Sequence, residues 1–122
     1  MERMQEETIF VVDDDQGVLE SFDAMLGDDY SVVMLHDGAT ALDLLCQRSP
    51  RLLFLDIKMP GMSGIEVLKT IRERQLGTEV VIVTALPQDN YEELALEYGV
   101  YRYLRKPLDV DEIEGIARTI LH

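Results

Sequence analysis

The hydrophobic residues of this chain are concentrated in five short runs that are rich in β-branched side chains, at 8–12, 30–35, 52–55, 79–84 and 100–104. The first, third and fourth runs are almost unbroken apolar, which is typical of strands covered on both faces of a sheet. The pattern therefore predicts five β-strands.

The segments between these runs carry a helical period. Apolar stripes at helical spacing are formed by Val18, Phe22, Met25 and Leu26, by Ile65, Leu68 and Ile71, and by Val110, Ile113, Ala117, Ile120 and Leu121. Arg72 and Glu73 lie outside the second of these stripes. The pattern predicts helices that alternate with the strands.

Glycine and aspartate mark several expected helix ends. Gly27, Gly77 and Gly99 stand where the first, third and fourth helices should end. Asp89 and Asp109 are suitable N-caps for the fourth and fifth helices.

Alternating strands and helices predict an α/β fold built on a parallel sheet. Because crossover connections are right-handed, a doubly wound, flavodoxin-like, five-stranded sheet with strand order 2-1-3-4-5 and five helices is the natural topology.

Composition narrows the class of protein further. A length of 122 residues, 47% of them hydrophobic, predicts one domain with a core, and no apolar run approaches the roughly 20 residues of a membrane span. The net charge of −13, concentrated in residues 1–29, argues against direct nucleic-acid binding and against a membrane partner. A single cysteine, Cys46, favours a reducing compartment, so we expect a cytoplasmic protein.

Polar residues end four of the predicted strands. Asp13 and Asp14 follow the first strand, Asp56 the third and Thr84 the fourth, while Lys106 follows the fifth. In an open α/β sheet these positions share one edge, where ligands bind. Three converging carboxylates repel one another without a cation, and an oxygen-only set suits Mg²⁺ or Mn²⁺. A lysine and a hydroxyl beside them would suit a phosphoryl group.

Each of these residues has a simpler interpretation. A single aspartate at a strand end is usually a turn former or a helix cap. The sequence holds no P-loop motif and no histidine and cysteine cluster with zinc spacing, and His36 and His122 are isolated. Cys46 falls in the apolar pattern of the second helix and is expected to be packed rather than reactive.

Four segments together resemble the receiver domain of bacterial response regulators, the phospho-acceptor half of a two-component system. They are 11–15, 53–64, 81–85 and 103–107, in the order and spacing of that family. The resemblance extends from Thr8 to Leu121. It divides the chain into an N-terminal tail, 1–7, and a receiver domain, 8–122.

The resemblance implies a chemical role for the acidic residues. Asp56 would accept the phosphoryl group from a kinase phosphohistidine. Asp13 and Asp14 would hold Mg²⁺ together with the Asp56 carboxylate and the backbone carbonyl of Lys58.

It also implies roles for the residues of the fourth and fifth strands. Lys106 would contact the phosphoryl oxygens, and Thr84 would donate a hydrogen bond to one of them after transfer. Tyr103 would turn inward when Thr84 moves, and the bond between Lys106 and Pro107 would be cis. In place of the usual polar loop, Leu86 and Pro87 follow the fourth strand.

The expected partners are a sensor histidine kinase or a phosphotransfer protein. The conformational change is expected to reach an output partner, or a second copy, through the fourth helix, fifth strand and fifth helix, where Tyr91, Tyr98, Tyr101 and Tyr103 lie. We expect a signalling switch that catalyses its own phosphorylation and dephosphorylation rather than a turnover enzyme.

Two alternatives stay open. A binding scaffold has no need for all five chemical residues. An aspartyl phosphatase typically has a second acid two residues after its nucleophile, and Lys58 stands there instead.

Overall fold

The computed structural model describes residues 7–86 and 91–121. Within these ranges the elements are β1 (Thr8–Val12), α1 (Gln16–Leu26), β2 (Ser31–Leu35), α2 (Gly38–Gln47), β3 (Leu52–Leu55), α3 (Gly64–Glu73), β4 (Glu79–Thr84), α4 (Tyr91–Glu97), β5 (Arg102–Arg105) and α5 (Val110–Leu121). The strands form one parallel sheet in the order β2-β1-β3-β4-β5. The predicted α/β class and strand order are confirmed.

The two faces of the sheet bury separate cores because alternate side chains of each strand point to opposite faces. Phe10 of β1 belongs to the core beneath α2, α3 and α4. Phe54 of β3 belongs to the core beneath α1 and α5, where its ring lies 4.9 Å from that of Phe22. With both faces covered, β1 and β3 are buried along their whole length, as their apolar sequences predict.

The predicted end of α3 at Gly77 is wrong. The helix ends at Glu73, and Gln75 takes the left-handed conformation, with φ of 57°, that glycine usually supplies. The amide of Gln75 donates to the carbonyl of Arg72, and the amide of Leu76 donates to the carbonyl of Ile71. These bonds end the helix before it reaches Gly77.

The other predicted helix ends that fall within the described residues agree with the structure. Gly27 is the C-cap of α1, and Gly99, with φ of 80°, follows α4. The Asp109 carboxylate accepts a hydrogen bond from the amide of Glu112 at 3.3 Å, as an N-cap does. Asp89 lies outside the described residues.

Two further expectations concern isolated residues. Cys46 is exposed rather than packed, because Ala41, Leu42 and Leu45 already fill the inner face of α2. The guanidinium of Arg74 lies 2.8 Å from its sulfur. His36 lies just after β2, as expected, and His122 lies outside the described residues.

No helix among the described residues is both long enough and apolar enough to cross a membrane.

Candidate functional site

Backbone hydrogen bonds hold the carboxyl edge of the sheet in register beyond the strand ends. The amide of Asp56 donates to the carbonyl of Val12 at 2.9 Å, and the amide of Lys106 donates to that of Thr84 at 2.8 Å. The residues that follow β3 and β5 are thereby fixed beside the last residues of β1 and β4 rather than diverging into separate loops.

The loop after β3 folds back tightly under the start of α3. The amide of Gly64 donates to the carbonyl of Ile57 at 2.8 Å, and a Cβ at residue 64 would collide with the Asp56 carbonyl. A side chain is therefore excluded at this position. Ser63 and Glu66 form a reciprocal capping box that starts the helix here. This loop fixes the backbone that carries Asp56.

Three carboxylates converge at this edge. One oxygen atom each from Asp13, Asp14 and Asp56 lies within 4.8 Å of the others. Asp13 and Asp56 are buried, at 2% and 6% exposure, whereas Asp14 is exposed. The ammonium of Lys106 lies 2.9 Å from an Asp13 oxygen and 3.9 Å from an Asp56 oxygen. One lysine thus offsets only part of the negative charge.

Thr84 is fully buried at the end of β4. Its hydroxyl oxygen accepts a hydrogen bond from the amide of Leu86 at 3.1 Å. A hydroxyl has one proton of its own to donate, so Thr84 can offer that proton to an oxygen atom in the adjoining cavity.

A cavity of about 220 Å³ joins these groups, and it is lined by Asp13, Asp14, Asp15, Asp56, Lys58, Thr84, Ala85, Leu86 and Lys106. Every residue predicted for the chemistry lines it, apart from Tyr103. The donors are carboxylate oxygens with no histidine or thiol among them, which fits a hard divalent cation such as Mg²⁺.

The electrostatics of Asp56 also favour a bound cation. Burial raises the pKa of its carboxyl to about 6, the Asp13 carboxylate adds to this effect, and the Lys106 ammonium opposes it. The ionised form is therefore costly in the metal-free protein, and a cation at this site would relieve that cost.

Replacing Asp56 with asparagine is expected to stabilise the metal-free protein at pH 7.5. Because the pKa of Asp56 is raised from 3.8 to about 6, the wild type loses stability as the pH rises from about 4 to 6. Asparagine does not titrate, so the free energy of unfolding should increase by about 2 kcal/mol at pH 7.5 and by less at pH 5. Urea denaturation in chelator at both pH values measures this difference.

The matched control is Asp43→Asn, which removes an exposed carboxylate from α2. It should change the free energy of unfolding by less than about 0.5 kcal/mol at either pH. A destabilised Asp56→Asn variant, or an equal gain at pH 5 and pH 7.5, would contradict the assigned electrostatics.

Asp15 supports the site in a way that the sequence did not reveal. Its amide donates to an Asp13 oxygen at 2.9 Å, while its own carboxylate caps α1 by accepting from the amide of Gly17. The start of α1 therefore orients the Asp13 carboxylate. The Asp13-Asp14-Asp15 run indicated an acidic site. The sequence alone could not tell which of these aspartates caps the helix and which would bind a metal.

The tyrosines near β5 are mostly packed. Tyr98 and Tyr103 pack on one core and Tyr101 on the other, and all three are half-buried. Tyr91 is 42% exposed. Tyr103 lies on β5 with the Arg105 guanidinium 5.4 Å from its ring centre. The peptide bond between Lys106 and Pro107 is cis, as the family resemblance implies.

Comparisons with known proteins give one consistent family. A family model described as the response regulator receiver domain matches residues 9–118. The chain is 37% identical over 123 residues to the DNA-binding transcriptional regulator NtrC of Escherichia coli (strain K12), with 98% of this chain and 26% of that protein covered. It is 32% identical over 119 residues to sporulation initiation phosphotransferase F of Bacillus subtilis (strain 168), with 97% and 96% covered.

A solved structure agrees with these relatives. The CheY-like response regulator receiver domain protein from Methanospirillum hungatei JF-1 superposes with a TM-score of 0.85 at 27% identity, over 93% of each chain. The present chain thus spans about a quarter of the length of NtrC and nearly the whole of phosphotransferase F.

Proposed function

This chain belongs to the response regulator receiver domain family, and we propose that it is a phosphoryl-accepting switch in which Asp56 takes the phosphoryl group. The observation that carries the proposal is the convergence of Asp13, Asp14 and Asp56 with Lys106 in one cavity at the carboxyl edge of the sheet. A scaffold that only binds a partner needs no such set of converging charges.

Asp13, Asp14, Asp56 and the backbone carbonyl of Lys58 would hold a divalent cation. When bound, that cation supplies positive charge opposite the oxygens of the phosphoryl group. Asp13 is the best-fixed member of this set, because the Asp15 amide and the Lys106 ammonium both bind its carboxylate.

In the transfer step a carboxylate oxygen of Asp56 attacks phosphorus. A new oxygen–phosphorus bond forms, and the bond from phosphorus to the donor's histidine nitrogen breaks, so that nitrogen leaves with the electron pair. Lys106, already 3.9 Å from Asp56, stabilises the negative charge on the transferring oxygens.

The phosphoryl group on Asp56 then attracts the Thr84 hydroxyl. Thr84 donates to a phosphoryl oxygen, and its bond from the Leu86 amide weakens as it moves. Tyr103, on the neighbouring strand β5, follows the movement inward. This is the two-state element that a receiver needs in order to signal.

The phosphoryl donor is a sensor histidine kinase or a phosphotransfer protein, and the change is read through α4, β5 and α5. β5 pairs with β4, with Arg105 opposite Thr84, and α4 contacts β5. Because three of the four tyrosines here are half-buried, Tyr91 is the aromatic side chain most accessible to an output partner.

Beryllium fluoride, a mimic of a phosphoryl group, tests this proposal together with Mg²⁺. Mg²⁺ alone should raise the melting temperature, and Mg²⁺ with beryllium fluoride should raise it further, by about 5 °C or more in total, because both bind only the folded state. Amide spectra should change around Asp56 and Thr84. A scaffold that only binds a partner would show neither response.

Asp14→Ala should reduce the Mg²⁺ response, because it removes one ligand and leaves the buried Asp13 and Asp56 in place. Asp43→Ala, which removes an exposed carboxylate outside the cavity, should respond as the wild type does. An unchanged wild-type melting temperature in millimolar Mg²⁺ would count against the metal site.

A further inference from the structure

The guanidinium of Arg72 makes three hydrogen bonds to backbone carbonyls outside its own helix. Its Nε donates to Tyr98 O at 2.6 Å, its Nη2 to Gly99 O at 3.0 Å and its Nη1 to Thr78 O at 3.2 Å. One side chain of α3 therefore joins the end of α4 to the residue before β4. We call this set, Arg72 with these three carbonyls, the Arg72 clamp.

The clamp binds the short helix α4. α4 has seven residues and one buried side chain, Ala95, and helices this short are unstable alone in water. It carries no basic residue in its last turn, where Glu97 opposes the helix dipole. α4 itself therefore has no positive charge at its C-terminal end, where such a charge would stabilise the helix. The guanidinium of Arg72, on α3, supplies that charge.

Backbone bonds satisfy the other groups at this end of α4. Gly99 takes a left-handed conformation, its amide bonds to Leu96 O, and the amide of Val100 bonds to Ala95 O. These are the two bonds of a Schellman motif. The carbonyls of Tyr98 and Gly99 accept from Arg72, so the clamp adds to the backbone bonds that hold the C-terminal end of α4.

At the N-terminal end of α4 the described contacts include an exposed ion pair. Here Glu92 pairs with Arg105 of β5 at 3.2 Å, and the two side chains are 42% and 38% exposed. Exposed ion pairs of this kind contribute little to stability. This is also the end of α4 that adjoins Leu86, the residue that binds Thr84 in the unphosphorylated state.

We propose that the Arg72 clamp is the hinge of α4. On this view, which rests on the proposed function, phosphorylation of Asp56 moves the N-terminal half of α4 through the Thr84 loop while the C-terminal end stays fixed to α3 and β4. The clamp confines the response to the part of α4 next to the switch.

Amide hydrogen exchange of the full chain tests the hinge, with and without Mg²⁺ and beryllium fluoride. In the wild type the ligand should change exchange at 91–94 and leave 96–100 within about twofold. In Arg72→Met, exchange at 96–100 should be at least about tenfold faster without ligand, and the ligand-dependent change should now extend to these residues. Arg72→Lys, whose ammonium can reach fewer carbonyls, should fall between the two.

The control is Arg74→Met, which removes the arginine two positions along, whose guanidinium lies 2.8 Å from the Cys46 sulfur and outside the clamp. It should behave as the wild type does. The hinge is refuted if 96–100 respond to the ligand in the wild type as strongly as 91–94, or if Arg72→Met leaves their exchange unchanged. A wild type in which no amide responds anywhere would instead contradict the proposed function, and the hinge with it.

Discussion

Asp56→Asn protein incubated with acetyl phosphate and Mg²⁺ is expected to gain no phosphoryl group, whereas the wild type gains one per chain. The amide of asparagine cannot act as the oxygen nucleophile, and no other carboxylate of the cavity is expected to reach phosphorus in line with the leaving group. Intact-protein mass spectrometry gives the stoichiometry directly. Loss of this step is the largest effect that any single substitution should have.

The loss must not come from unfolding. Asp56→Asn is expected to be the more stable protein without metal, since it removes a buried charge, and circular dichroism checks that it is folded. Asp43→Asn, changed in the same way on the exposed face of α2, should be phosphorylated normally. A phosphoryl group that persists on the Asp56→Asn variant would overturn the assignment of Asp56.

Lys106→Met should slow phosphorylation by about 100-fold at saturating Mg²⁺. The lysine ammonium lies 3.9 Å from Asp56 and is only 18% exposed, so it acts where charge interactions are strong. Removing one such group from a site of developing charge typically costs a factor of about 10²–10³ in rate. The variant should also ionise Asp56 less readily, because Lys106 lowers the pKa of that carboxyl.

Rates of phosphoryl uptake, measured by quenched mass spectrometry, test this prediction. Lys69→Met removes an exposed lysine from α3 and should leave the rate unchanged. A rate for Lys106→Met within about threefold of the wild type would show that Lys106 contributes little to the step.

The sequence predicted the sheet well because its central strands are buried on both faces. Continuous apolar runs such as Leu52–Leu55 have no other stable place in a domain of this size, and parallel strands bring their carboxyl ends to one edge. The meeting of Asp13, Asp56 and Lys106 follows from that geometry, although they lie far apart in sequence.

The sequence could not predict features that depend on the detailed backbone conformation or on contacts made only in the folded chain. Gln75 rather than Gly77 ends α3, because local backbone bonds and a left-handed glutamine replace the expected glycine. Cys46 looked like a core residue and is exposed. Arg72 lies at a polar position of its helix, and only the folded chain reveals that its guanidinium binds the end of α4.

The most direct test of the central claim is to locate the phosphoryl group chemically. Wild-type protein phosphorylated with acetyl phosphate and Mg²⁺ is reduced with borohydride, which converts an acyl phosphate to an alcohol, and its peptides are then sequenced by mass spectrometry. The account predicts that the reduced residue is position 56 and that omitting Mg²⁺ removes the signal. Reduction at any other carboxylate, or no reduction in a protein shown to be folded, would contradict it.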